Sequence, residues 1–285
     1  ILFFSKSDAA NAQGYFWATI VFSVLMLPCF WICAARCKET VVVEAPQQTV
    51  KKRSVLESLK LMCKNKMLLI TVSNVFLGAL AIMCRMSMLT YYVIYVVGSF
   101  TMIAPIFTIM TVTELLGCLA FPWGTKTFGK RNWLLILNVI MVFGFVTMFI
   151  VPANNNVFLL TISAIIGFGN SAANVSTGML SDCIEYGDWK YGIREEGLTY
   201  SYMSFGVKLA TAVGGSATVL LLAATGYGPN AEQTEAVKTG INAIVNLFPT
   251  ICIIISMIPL FWYKLDKKMM DKIRVELDER NAKNA

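Results

Sequence analysis

The stretch NWLLILNVIMVFGFVTMFIVP, residues 132–152, contains no charged side chain. An α-helix needs about 20 apolar residues to cross the hydrocarbon core of a bilayer, so this stretch alone predicts a transmembrane helix. Six further apolar runs of similar length lie at 15–35, 67–96, 101–122, 157–180, 198–224 and 241–263. Together the seven runs predict an all-α transmembrane protein.

The overall composition agrees with this prediction. Hydrophobic residues make up 56% of the chain and its mean hydropathy is +0.64, whereas soluble domains are about 45–50% apolar. A large soluble helical protein is the alternative, but its helices would carry polar faces, which most of these runs lack. The chain has no histidine, no zinc-ligand spacing and no P-loop. We therefore expect no metal site, no cofactor and no enzyme.

The basic residues lie in alternate connectors. Of the 24 lysines and arginines, 20 fall in the segments 36–66, 126–131, 190–194 and 264–283. The intervening connectors hold only Lys6 and Lys238. Positively charged connectors stay on the cytoplasmic side of a membrane, so this pattern predicts a cytoplasmic C-terminus. It also explains the net charge of +7 without a nucleic-acid partner.

These features divide the chain into four segments. The last of them, residues 264–285, is a basic tail. The second, residues 37–66, contains a capping box, Ser54 to Glu57, that predicts either an amphipathic helix on the membrane surface or a solvated loop helix. The first begins with ILFF, which looks like the end of a further span. The segments are 1–36 (end of that span, loop and one full span), 37–66 (cytoplasmic central loop), 67–263 (six-helix bundle) and 264–285 (cytoplasmic tail).

Polar residues form stripes on two of the predicted spans. Lys208 lies about ten residues into the run 198–224, and a charge at that depth must face protein or water. Its stripe consists of Tyr200, Ser204, Lys208, Thr211, Gly215 and Thr218. The neighbouring stripe consists of Ser163, Gly167, Asn170, Asn174 and Thr177. The stripes predict a polar path between helices, or else close helix packing through small residues.

Seven charged residues are concentrated in DCIEYGDWKYGIREEGL, residues 182–198. Asp182 and Glu185 are three apart and project from nearly one face at the end of a span. Gly187 and Gly192 are predicted to let the chain turn. The acids could pair with basic residues of the connector PWGTKTFGKRN, which are Lys126, Lys130 and Arg131. A solvated charged loop is the alternative.

Together with a later lysine and GYGPN at 226–230, this stretch resembles the glycoside–pentoside–hexuronide:cation symporters of the major facilitator superfamily. Matching positions are Asp182, Glu185, Tyr186, Trp189, Lys190, Gly192, Arg194, Glu196, Gly197 and Lys208. The resemblance covers the whole chain. It implies a fragment of a twelve-span transporter, namely the C-terminal six-helix bundle and the span before it.

The resemblance implies sugar:cation symport by alternating access in a bacterial inner membrane. It assigns a cytoplasmic gate to Asp182, Glu185, Tyr186, Trp189, Lys190, Arg194 and Glu196. With the polar stripes, it predicts substrate contacts by Lys208, Ser204, Thr211, Asn170, Asn174, Tyr92 and Arg85. The expected partners are a sugar or glycoside, with a uronide suggested by Arg85 and Lys208, the bilayer and the missing N-terminal half. The coupling cation (Na⁺, H⁺ or Li⁺) is expected to bind in that half.

Two other functions are compatible with the residues. A lipid or lysolipid carrier of the same fold would have a more apolar central face than the Lys208 stripe provides. A non-transporting membrane sensor or assembly module would tolerate the loss of Lys208.

Overall fold

The computed structural model describes residues 12–37, 64–151, 155–192, 194, 196–228 and 233–284. The residues ILFF and the predicted capping box lie outside these ranges. Two units are distinguished, Ile1–Arg53 and Ser54–Ala285. Within the first, the described part forms helix α1, Ala12–Arg36.

The described part of the second unit is built from helices. They are α2 (Lys66–Tyr92), α3 (Ile103–Phe128), α4 (Lys130–Ile150), α5 (Asn156–Asn170), α6 (Ala172–Tyr191), α7 (Glu196–Ala224), α8 (Glu235–Asn242), α9 (Phe248–Leu260) and α10 (Lys267–Asn284). A π-helical turn, Val93–Val97, extends α2, and a second, Ala243–Leu247, joins α8 to α9. A short 3-10 turn, Phe100–Met102, precedes α3.

Among the described residues, seven helical segments are long and apolar enough to cross a membrane. They coincide with the seven predicted runs, with α5 and α6 forming one segment and α8 and α9 another. The fold prediction, an all-α transmembrane protein, is therefore confirmed.

Helix α2 lies at the centre of the second unit. It packs against α7 and α9, while α5 packs against α3 and α4. Fully buried side chains of α2, among them Cys84, Met88 and Leu89, belong to the larger apolar core. Because lipid tails are as apolar as these side chains, such helices associate mainly through close packing, which small residues permit.

Gly167 on α5 provides one of the closest helix contacts. A Cβ atom at this position would overlap the hydroxyl of Thr113 and lie 2.7 Å from the Cα of Met110, both on α3. We expect Gly167→Leu to separate α5 from α3 and to lower the free energy of unfolding by at least about 1–3 kcal/mol. Thermal unfolding in detergent measures this loss. Gly215→Leu is the matched control, since no atom lies within 4 Å of its Cβ position, and equal losses in both variants would contradict the packing argument.

Two segments predicted as connectors are largely helical, so these predictions were wrong. Helix α3 continues to Phe128, and the turn before α4 is confined to Gly129, at φ +80°. Helix α6 continues to Tyr191; Gly187 is buried within it, and the turn is made by Gly192, at φ +63°. The apolar runs end earlier than the helices because a helix satisfies its own backbone hydrogen bonds whether its side chains face lipid or water.

The segment predicted as a basic tail contains helix α10, which packs on α6. Met270, Ile273 and Leu277 form its buried stripe, while its charged residues lie mostly on the other faces. This i, i+3, i+7 spacing is the signature of an amphipathic helix.

Candidate functional site

Asp182 lies near the end of α6 and is only 3% exposed. Its Oδ1 atom accepts a hydrogen bond of 2.7 Å from the Lys130 ammonium, at the start of α4. The same ammonium donates to the carbonyl of Gly178, 3.0 Å away. Because a buried carboxylate requires a partner, this ion pair joins α6 to α4 and fixes their ends together. Of the three bases that were possible partners, Lys130 forms the ion pair, whereas Lys126 and Arg131 form none among the described residues.

Glu185 lies one turn further along α6 and pairs with α10. Its Oε2 atom accepts from the Arg274 Nε, 2.9 Å away. The hydrogen bond to Glu185 raises the pKa of Arg274, which therefore remains charged. Arg274 also lies 3.8 Å from the Asp182 Oδ1. Asp182 and Glu185 thus share one arginine, as their placement on one helix face predicts.

Two further contacts join α6 to α10. The Trp189 indole donates to the Glu276 carboxylate over 2.5 Å. Asp188 pairs with Arg280, which also donates to the Asp188 carbonyl at 3.1 Å. We call these contacts, together with those of Lys130, Asp182, Glu185 and Arg274, the α6–α10 network. It is a chain of charged groups at one end of the bundle.

The other predicted gate residues lie beside this network or apart from it. The Lys190 ammonium donates to the Tyr186 hydroxyl, 2.8 Å away on the same helix. Arg194 and Glu196 pair with each other at 2.9 Å, both about half exposed. Within the described residues, neither of this last pair contacts the α6–α10 network through an ion pair or side-chain hydrogen bond.

The α10 residues of the network were not predicted. The sequence places Arg274, Glu276 and Arg280 in a predicted basic tail, although the apolar stripe Met270, Ile273, Leu277 indicates a docked helix. A docked helix places charged residues next to its binding surface, so this stripe was the available signal.

The Lys208 stripe divides into an exposed and a packed part. Ser204, Lys208 and Thr211 are exposed on α7, and Lys208 forms no ion pair within the described part of the chain. Thr218 is buried and donates to the Cys84 sulfur, 3.2 Å away on α2. At the other end, the Tyr200 and Ser181 hydroxyls lie 3.3 Å apart and connect α7 with α6.

The second stripe bends at the junction of α5 and α6. Ser163 and Gly167 are buried on α5, and Gly167 packs against α3. Asn170 is half-buried, whereas Asn174 is exposed on α6 and donates to the Cys118 sulfur at 3.1 Å. Close packing therefore accounts for Gly167, and two exposed polar residues of the stripe, Asn174 and Thr177, lie on α6.

Arg85 lies inside the bundle, 1% exposed, between α2, α4 and the second π turn. Its guanidinium donates to the Asn246 side-chain oxygen at 2.6 Å and to the Val245 carbonyl at 3.0 Å. It lies 4.7 Å from the centre of the Phe145 ring. Tyr92 is also buried, at 1% exposure. The structure therefore separates Arg85 and Tyr92, in the interior, from Lys208, Ser204 and Thr211, on an exposed face.

Three tyrosines cluster where α2 ends. The hydroxyls of Tyr95 and Tyr227 lie 3.0 Å apart, and Tyr91 contacts both rings at 5.7–6.3 Å between centroids. The hydrogen bond between the two hydroxyls is the main reason that the pKa of Tyr227 is raised to about 12. The cluster thus ties the loop after α7 to the end of α2 through neutral side chains.

Known proteins are similar to this chain over almost all of its length. Residues 1–267 match the family described as MFS/sugar transport protein. The "Uncharacterized symporter YjmB" of Bacillus subtilis is 33% identical over 92% of the chain and 57% of the relative. The "Isoprimeverose transporter" of Lactiplantibacillus pentosus is 27% identical over 99% and 58%. The "Glucuronide carrier protein homolog" of Escherichia coli is 30% identical over 97% and 60%.

The chain thus spans about three-fifths of the length of these relatives. The match is to a family of transport proteins rather than of enzymes, as the sequence predicts. The seven apolar helical segments make the chain a multi-pass membrane protein. The charged motif resembles symporters of the major facilitator superfamily, and the family match over residues 1–267 agrees with this resemblance. The chain therefore belongs to the MFS/sugar transport protein family.

Proposed function

We propose that this chain forms the C-terminal part of a twelve-span secondary transporter that carries a sugar or glycoside together with a cation. The family match and the transporter names of the relatives support the transport of a sugar. The observation that carries the proposal furthest is Lys208, which is exposed on a membrane-spanning helix and forms no ion pair with any described residue. An ammonium at that depth is too costly against lipid, so it requires a water-filled path or a charged partner.

The exposed face of α7 has the chemistry that sugar binding requires. Ser204 and Thr211 lie one turn before and one turn after Lys208 and offer hydroxyl groups. Asn174 on α6 offers an exposed amide. Polar groups of this kind can satisfy the many hydroxyls of a sugar. In this proposal Arg85 and Tyr92 support the helix packing behind that face, because both are buried.

The α6–α10 network is proposed as the gate on the cytoplasmic side. Its ion pairs connect α4, α6 and α10 at one end of the bundle, so in one of the two alternating states they hold the ends of these helices together. Asp182 and Glu185 would exchange partners with the other half during alternating access. The basic connectors at this end favour its cytoplasmic orientation.

A uronide is the substrate that we favour among sugars. Lys208 is a cation to which the carboxylate of a uronide can bind, and a neutral glycoside would leave it unpaired. The similarity to the glucuronide carrier homolog supports this preference.

Uptake by proteoliposomes tests the proposal. The complete gene product containing this chain is reconstituted, and a labelled pentoside, hexoside and uronide are offered under Na⁺, Li⁺ or proton gradients. We expect one gradient to drive accumulation of a sugar, most strongly of the uronide. Liposomes with this chain alone are the control, since we propose that the path requires the other half. Movement of lysolipid instead would favour the lipid carrier, and movement of no solute would favour the sensor or assembly module.

A further inference from the structure

Basic and aromatic residues meet where α2 and α4 begin and α9 ends. The Arg131 guanidinium donates to the Phe261 carbonyl at 3.3 Å and lies 6.0 Å from the centre of the Phe261 ring. The backbone N–H of Lys264 approaches the Met67 sulfur at 3.5 Å, which brings Lys264 beside the start of α2. We call this surface the basic rim; it comprises Lys66, Arg131, Phe261, Trp262, Lys264, Lys267 and Lys268.

The cations of the basic rim lack ion-pair partners among the described residues. Lys66, Lys264, Lys267 and Lys268 are exposed. In the part of the chain that the structure describes, these lysines and Arg131 form no ion pair, whereas the lysine and arginines of the α6–α10 network are all paired. The nearby carboxylate of Asp266 accepts a hydrogen bond of 2.8 Å from the backbone N–H of Met269. The five cations of the rim outnumber this carboxylate, so the surface keeps a net positive charge.

Exposed aromatic rings lie within the same surface. Phe261 and Trp262 are both 62% exposed and directly follow α9, the last membrane-spanning helix of the described chain. Aromatic side chains at this position lie at the level of the lipid headgroups. Their rings can contact the glycerol and upper acyl region while the neighbouring cations contact a phosphate.

We propose that the basic rim binds the headgroup of an anionic phospholipid. The N-termini of α2 and α4 both lie at this surface, and their partial positive charge adds to that of the side chains. The exposed rings at the end of a span favour a lipid over a soluble anion. This inference depends on the membrane location of the chain and not on the sugar substrate, so the uptake experiment and the one below can fail independently.

Native mass spectrometry of the full chain in detergent tests the inference. The protein is titrated with phosphatidylglycerol and with phosphatidylcholine of the same acyl chains. We expect phosphatidylglycerol to bind at least about tenfold more tightly, because each basic residue near an anionic lipid contributes about fivefold. The combined variant Lys264→Gln, Lys267→Gln and Lys268→Gln should lose this preference.

Two further variants separate charge from folding and from apolar contact. Lys238→Gln removes a cation that lies outside the rim and pairs with Glu235, so it should keep the full preference. Trp262→Leu should weaken the binding of both phospholipids alike and leave their ratio unchanged. Circular dichroism checks that the variants keep their helix content; if the triple variant loses it, Lys264→Gln alone should reduce the preference about fivefold.

Three results would overturn the inference. The first is equal binding of the two phospholipids by the unmodified chain. The second is an unchanged preference in the lysine variants that remain folded. The third is displacement of phosphatidylglycerol by an equal concentration of glycerol phosphate, which would show a site for a soluble phosphate instead of a lipid.

Discussion

Replacing Lys208 with alanine is expected to abolish gradient-driven accumulation of the sugar while the protein remains folded. Lys208 is exposed on α7 and forms no ion pair among the described residues. Its removal therefore costs little packing, and such substitutions usually change stability by less than about 0.5 kcal/mol. The loss of its charge removes the proposed contact with the carboxylate of the substrate, or with a charged partner inside the membrane. Initial uptake rate and final accumulation ratio measure this effect.

Conservative and distant variants make this test specific. Lys208→Arg keeps the charge and should retain part of the uptake, whereas Lys208→Leu should behave as the alanine variant does. Lys238→Ala, in the first turns of α8, should accumulate sugar like the unmodified protein, since its salt bridge with Glu235 is exposed. Normal accumulation in the Lys208→Ala variant would contradict the proposed role and leave helix packing as the reason for the stripe.

The membrane spans could be predicted from the sequence because the bilayer imposes one simple requirement. About 20 apolar residues are needed to cross it, and each of the seven runs meets that length. The ends of the helices could not be predicted in the same way. Helix α6 continues from Asp182 to Tyr191 with charged and aromatic side chains. Outside the hydrocarbon core the bilayer no longer requires apolar side chains, so a helix can extend beyond the apolar run.

Arg85 and Lys208 show what the sequence leaves open at the candidate site. Both are single cations within long apolar runs, and the cost of charge in a membrane predicts only that each faces protein or water. The structure distinguishes them. Arg85 is enclosed by the Asn246 amide, the Val245 carbonyl and the Phe145 ring, whereas Lys208 is exposed. Arg85's partners lie far away in the sequence, so neither spacing nor periodicity on one helix could reveal them.

Among the described ion pairs, the one between Lys130 and Asp182 should lose the most free energy of unfolding when a single partner is replaced. Lys130→Met would leave the Asp182 carboxylate, 3% exposed, without its nearest cation. Removing one partner of a buried pair costs about 3–5 kcal/mol; because Lys130 is 30% exposed, we expect the lower end of that range. Thermal unfolding in detergent should show a clear fall in the midpoint.

The double variant Lys130→Met, Asp182→Leu tests whether the cost comes from the unpaired charge. We expect it to regain most of the lost stability, since apolar residues of similar volume can replace a buried ion pair. Breaking the exposed pair of Arg194 and Glu196 should change stability by less than about 1 kcal/mol. If the double variant is no more stable than Lys130→Met, the electrostatic explanation is wrong. A stable double variant should still fail to accumulate sugar, because an apolar contact cannot exchange partners with the other half; normal accumulation would show that this pair only stabilises the fold.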